Sequence, residues 1–126
     1  MKARARQQHK PGQMNRGEAQ YDAHLQARLE AKDIVWYDFE PFKLKLADLS
    51  FYTPDFVVQL RDATFECHEV KPTYRQKLTN GTRREAPFCF EDSKLKIRFA
   101  ANKFKHLFKF LIVFPLKQGG WGTVEF

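Results

Sequence analysis

The sequence predicts an α/β domain, a mixed sheet flanked by helices, and three observations predict it. A helical period near the N-terminus gives way to three strand-length segments, the first of them clearly alternating apolar and polar residues. A second helical period then precedes an unbroken apolar run. The order helix, three strands, helix, strand is that of a sheet covered by helices. At 126 residues the chain can build one hydrophobic core but not two.

The first helix is expected from about Arg16 to Lys32. Asn15 is a good N-cap, and Glu18 three residues on supplies the second half of a capping box. Tyr21, Leu25 and Leu29 recur at i, i+4 and i+8 and make one apolar stripe. Ile34 to Leu46 reads as the first strand, with Phe42, Leu44 and Leu46 alternating with Lys43 and Lys45 and a bend or edge at Pro41. After a turn over Ala47–Ser50 the second strand is expected at Phe51–Leu60. A tight connection, Arg61–Ala63, leads to the third at Thr64–Lys71, so that these three form a meander. Pro72–Phe90 has no consistent period; it carries Asn80-Gly81 and four basic residues against one acid, and it is expected to be a long loop. The second helix should run from about Asp92 to Lys105, with Ile97, Ala100, Ala101, Phe104 and Phe108 near one face. Phe108–Phe114 reads as a buried strand, and Gly119-Gly120 leads to a short last one at Trp121–Phe126.

Composition narrows the classes. Hydrophobic residues make up 43% of the chain and Phe alone numbers 13, which excludes a disordered protein. The net charge of +7 is uneven: of the 22 basic residues five lie in 1–16 with no acid, leaving seventeen against the 15 acidic ones. A basic arm over 1–15 ahead of a nearly balanced body, 16–126, suits a polyanion, nucleic acid before an anionic membrane; a solubilising terminus has the same composition. No segment is apolar enough to span a bilayer or to serve as a signal peptide, so an intracellular protein is expected. Cys67 and Cys89 have no CxxC spacing and no paired His, which argues against a zinc site or a disulfide framework and leaves two buried thiols.

The residues that could do chemistry are concentrated in Tyr52-Thr53-Pro54-Asp55-Phe56 and Cys67-His68-Glu69-Val70-Lys71. Glu69 and Lys71 are two apart on a strand and share a face with Cys67, while His68 and Val70 point the other way. Asp55, fourteen residues earlier on the preceding strand, comes beside Glu69 if the two strands pair. Two carboxylates that close repel unless a cation lies between them, and a hard divalent ion such as Mg²⁺ takes oxygen donors from both. Lys71 then adds a positive charge where water attacks or where charge builds on a phosphate. Either segment alone reads first as an ordinary solvated strand face; together, on successive strands, they are far more specific. Glu18 falls in the middle of the Tyr21–Leu25–Leu29 stripe, where a carboxylate needs a partner: a metal, or the helix cap. Glu40, in phase with Phe42 and Leu44, is a rival for the third carboxylate or a support behind the ligands.

The paired segments match the PD-(D/E)xK signature, and the chain resembles the restriction-endonuclease-like superfamily. Glu18-Ala19-Gln20-Tyr21, Phe39-Glu40-Pro41-Phe42-Lys43-Leu44, Asp92-Ser93-Lys94-Leu95-Lys96-Ile97 and the late Gly-Gly-Trp are similar to small phage-encoded Holliday-junction-resolvase-like nucleases. The resemblance covers Glu18 to the C-terminus. It implies a restriction-endonuclease-like sheet and a metal-dependent DNA endonuclease, with Asp55, Glu69 and Lys71 catalytic. The metal, Mg²⁺ or Mn²⁺ in its place, would be held by Asp55, Glu69, the Val70 carbonyl and Glu18. Pro72 stands where resolvase-like relatives often carry glycine.

Arg75, Lys77, Arg83 and Arg84 in the long segment are expected DNA contacts. Lys94 and Lys96 at the start of the second helix either reach a phosphate or form an exposed helix face. His9, His24, His68 and His106 have no ligand spacing, neither Ser50 nor Ser93 sits in a nucleophile motif, and no glycine-rich phosphate loop is present. The alternative reading is a non-catalytic nucleic-acid-binding protein on the same fold; a structural or host-interaction protein carrying the motif by chance is a third. Branch recognition would imply a homodimer.

Overall fold

The structure is a computed structural model that describes residues 12–126. The basic arm therefore lies almost wholly outside the described residues. Helix α1 spans Arg16–Glu30 and opens on the expected capping box: the Asn15 side chain accepts from the Glu18 amide at 2.8 Å, and Glu18 Oε1 accepts from the Asn15 amide at 2.9 Å. It closes where Lys32 turns left-handed (φ 61°) and the Asp33 amide donates back to the Arg28 carbonyl.

The sheet is mixed and five-stranded. Its strands β1 (Ile34–Phe39), β4 (Phe56–Leu60), β5 (Phe65–Val70), β8 (Phe108–Pro115) and β9 (Trp121–Glu125) lie side by side in that order. All pairs are antiparallel except β5 with β8. A parallel pair needs a long crossover, and α2 (Glu91–Phe104) lies in that connection. The expected meander is present as β1–β4–β5, but two of its strands are each broken in two. The chain leaves β1 at Glu40, whose φ of 45° is incompatible with a continuing strand, and Pro41 follows. It then forms a separate hairpin, β2 (Leu44–Ala47) and β3 (Ser50–Tyr52), before re-entering the main sheet at β4. The expectation of single strands over Ile34–Leu46 and Phe51–Leu60 is corrected accordingly.

A second correction concerns Pro72–Phe90. Most of it is a hairpin, β6 (Thr73–Lys77) with β7 (Arg83–Pro87), turning at Asn80-Gly81, where Gly81 takes a φ of 86°. The remaining elements end within two residues of expectation.

The core has two halves, one on each face of the sheet. Tyr21 and Leu25 of α1 pack on Ile34, Phe56, Val58, Val70 and Val113. On the other face Ile97, Ala100 and Ala101 of α2, with Leu44 and Tyr52 of the small hairpin, pack on Val57, Cys67, Phe110 and Ile112. The alternation of Phe56, Val57 and Val58 between the two halves is the period of a strand buried on both sides. Among the described residues no helix is long and apolar enough to cross a membrane.

Candidate active site

One end of the sheet, where β5 finishes and β4 begins, opens into a cavity of about 720 Å³. The first turn of α1 brings Asn15 and Glu18 to it, the end of β1 brings Phe39 and Glu40, and α2 brings Ser93, Lys96 and Ile97. Asp55, Glu69, Val70 and Lys71 line it as well.

Asp55 sits in the break ahead of β4 rather than inside a strand. Because Phe56 pairs with His68, the residue before Phe56 arrives opposite Glu69. There its Oδ2 accepts a 2.8 Å hydrogen bond from the Val70 amide, which fixes the carboxyl against the end of β5. Pro54 is fully buried just before it and holds the chain extended.

Glu69 is fastened from the other side. The Tyr52 hydroxyl donates to its Oε2 at 2.5 Å, and Lys71 Nζ stands 3.9 Å from its Oε1. His68 and Val70 point into the α1 half of the core while Cys67 points into the α2 half, as strand alternation requires.

Electrostatically this is a crowded pocket. Burial, then the charges of Glu69 and Glu18, pushes the Asp55 carboxyl well above the ordinary range, outweighing the Val70 amide bond. Burial also raises Glu69, against the opposing pull of Lys71 and the Tyr52 bond. Both shifts run toward the protonated form, because two carboxyls this close are costly to charge together. The Tyr52 phenol is pushed up by burial and by Glu69, so it stays a donor.

Glu18 is 2% exposed, and its two expected roles coincide in space: it caps α1 through Oε1, and it lines the cavity close enough to act on Asp55. Glu40 lines the cavity too, accepting from the Gly12 amide at 3.4 Å. Among the described residues no group of three or more His, Cys, Asp or Glu side chains stands close enough together to hold a metal ion as it is. The chemistry of the donor set nonetheless fits a hard divalent cation. Its donors are carboxylate oxygens, and a cation between them would relieve the repulsion that raises Asp55.

The basic residues divide. Lys96 lines the cavity and reaches the Phe51 carbonyl at 3.4 Å, whereas Lys94 pairs with Glu91 at 3.6 Å and is not among the lining residues. Arg75, Lys77, Arg83 and Arg84 lie on β6 and β7, apart from the cavity lining.

Two residues at the site had no role in the sequence reading. Tyr52 grips Glu69, and Lys43 lines the cavity with its ammonium 4.4 Å above the Phe51 ring. The signal for Tyr52 was its position three residues before Asp55; that for Lys43 was a cation at the strand break.

Two of the described histidines are held by neighbouring rings and side chains. His68 bonds Tyr21 Oη through Nδ1 (2.6 Å) and Glu66 through Nε2 (2.8 Å), and His24 rests against the Tyr21 and Trp121 rings. His106 is exposed, and His9 lies outside the described residues. Both cysteines are free; Cys67 is buried, its thiol pushed up to about 12, while Cys89 is only partly buried.

Comparison of the chain with protein-family models, with curated proteins and with solved structures finds no match.

Proposed function

We propose that this chain is a metal-dependent DNA endonuclease on a restriction-endonuclease-like fold. The observation that carries the reading is the meeting of Asp55, Glu69 and Lys71 in one cavity, where burial raises both carboxyls and the charge of Glu69 raises Asp55 further, a conflict that a cation between them would relieve. A cleft in which burial and like-charge crowding shift a carboxyl is a candidate functional site.

Asp55 and Glu69 would hold Mg²⁺, or Mn²⁺ in its place, with Glu18 and the Val70 carbonyl completing the set. A cation held there would supply Lewis-acid polarisation of a phosphoryl oxygen for hydrolysis of the phosphodiester. The chain's own residues do the rest. The Val70 amide and the Tyr52 hydroxyl keep the two carboxyls from drifting apart. Lys71 holds the attacking water and offsets the charge that builds on the phosphate. Lys96 and Lys43, cations on the cavity wall, receive the DNA backbone. Arg75, Lys77, Arg83, Arg84 and Lys94 contact the strand farther out. Cleavage at branched DNA by a homodimer, in an intracellular setting, belongs to the same reading.

The test is cleavage of supercoiled plasmid and of a synthetic four-way junction, in Mg²⁺ and in EDTA. Metal-dependent cutting that Asp55→Ala, Glu69→Ala and Lys71→Ala each abolish supports the nuclease, and symmetric cuts confined to the junction make it a resolvase. Tight DNA binding with no cutting under any condition assigns the cavity to a non-catalytic binding protein instead.

A further inference from the structure

The β6–β7 ribbon is rooted at the cavity on both sides. Pro72 alone separates Lys71 from β6, and three residues separate β7 from α2, whose Ser93 and Lys96 line the cavity. Partners in an antiparallel pair share a face, and faces alternate along each strand. One face therefore carries Tyr74 with Ala86 and then Gln76 with Arg84. Phe88 continues that face past the end of β7, its amide donating to the Pro72 carbonyl at 2.7 Å.

Tyr74 and Phe88 meet edge to face at 6.0 Å and 82°, and Phe88 meets Phe90 at 5.3 Å and 74°. Neither Tyr74 nor Phe88 joins either half of the core; they are 41% and 44% exposed. Their mutual contacts steady a ribbon that would be marginal alone, yet leave much of each ring to water. Beyond the rings, Arg84 is held in place by its Nε bond to Gln76 Oε1 at 2.9 Å. Arg75, Lys77 and Arg83 occupy the opposite face, and Glu85 is the ribbon's one acid.

Charge decides the occupant. A nucleic-acid strand brings phosphates to Arg84 on this face and to a ribbon of four cations and one acid, whereas a second copy brings like charge. Intact duplex hides the faces of its bases in its own stack; only unpaired bases offer them to a ring. We propose that Tyr74 and Phe88 form a stacking platform for unpaired bases of a DNA strand, with Arg84 on the phosphate beyond them. The strand continues past the ribbon's root into the cavity. The inference rests on the nuclease reading for the identity of the strand, and it makes the substrate one with unpaired bases beside the cut, as at a fork, flap or open junction.

The test is fluorescence anisotropy with the full chain in EDTA, where binding is read without cutting. The probes are a labelled oligothymidylate and a blunt duplex of equal phosphate count. Tyr74→Ala and Phe88→Ala should each weaken oligothymidylate binding about tenfold and duplex binding less than about twofold. Phe88→Trp should bind as the parent does, its indole emission quenched by the oligonucleotide, which guards against a loss caused by misfolding. Equal losses on both probes, or none, would overturn the platform. So would sedimentation showing a dimeric parent and a monomeric Phe88→Ala, which assigns the rings to a second copy. Selective loss on the oligonucleotide in a protein that never cuts DNA would keep the platform and discard the nuclease.

Discussion

Tyr52 and Glu69 are joined by a 2.5 Å hydrogen bond from a phenol at the end of the small hairpin to a carboxylate on the central sheet. That bond is one of the forces that draw Glu69 back toward the charged form. Tyr52→Phe removes it and keeps the packing on Phe110. The Glu69 carboxyl then rises further. Metal binding needs it deprotonated, so the pH at which Mg²⁺ affinity develops moves upward. A hydrogen bond to a charged group is worth about 1.5–3 kcal/mol, so affinity at neutral pH should fall about tenfold or more. Calorimetric Mg²⁺ titration at several pH values checks this; affinity unchanged across the range would remove Glu69 from the ligands.

Asp55 trades stability for its role. Its folded pKa is raised by burial, Glu69 and Glu18, so between its unfolded and folded values the native state keeps a proton the unfolded chain has lost. That contribution to stability is fully present below the unfolded pKa and is lost as pH rises through the folded one. Asp55→Asn removes the loss: its amide can donate to Glu69 as the protonated carboxyl does, and its oxygen can still accept from Val70. Without metal the variant should be more stable than wild type at neutral and alkaline pH. Saturating Mg²⁺ should reverse the order, stabilising wild type by about 2.7 kcal/mol at a hundredfold excess over Kd. Thermal melts with and without Mg²⁺ decide it; a less stable metal-free variant would mean that Asp55 is held as a comfortable anion.

The features written in neighbouring residues were legible in the sequence. The Asn15–Glu18 cap, the Tyr21–Leu25 stripe and the apolar run of β8 each depend on contacts a few residues away or on burial along a whole strand. The Asp55–Glu69 pairing was legible because one antiparallel register brings the two together. What escaped depends on partners distant in sequence. Alternation at Phe42, Leu44 and Leu46 looks the same whichever sheet those residues join, and it cannot reveal that the left-handed Glu40 sends them to a separate hairpin. The β6–β7 ribbon buries no apolar face along its length, so no period of two marks it. Asn80-Gly81 was its only local signal. Tyr52 acquires its bond to Glu69 only after that small hairpin folds back over the sheet.

Gly122 tests the other end of the sheet. It pairs with Phe114 in β8, and a Cβ at this position would lie 2.4 Å from the Phe114 ring. The ring is 6% exposed, so it cannot swing aside without opening the sheet edge. Gly122→Ala should therefore destabilise by about 1–3 kcal/mol through overpacking, despite the better strand propensity of alanine. Urea denaturation measures it. A neutral result would show that β9 shifts away from β8 at little cost.

Glu18 separates the helix cap from the metal, because glutamine satisfies one and not the other. A capping box accepts Glu or Gln at this position, so Glu18→Gln should keep the bond to the Asn15 amide and hold stability within about 0.5 kcal/mol. Glu18→Ala loses that bond and should cost about 1 kcal/mol. If Glu18 also binds the cation, both variants lose Mg²⁺ affinity together, since neither offers a carboxylate beside Asp55. If it only caps the helix, Mg²⁺ affinity stays near wild type in Glu18→Gln and the damage is confined to the stability of Glu18→Ala. Parallel Mg²⁺ titrations and denaturation curves on the two variants separate these results. The expected one is a shared loss of affinity with unequal stability, because Glu18 is buried at the cavity wall and its charge already acts on Asp55.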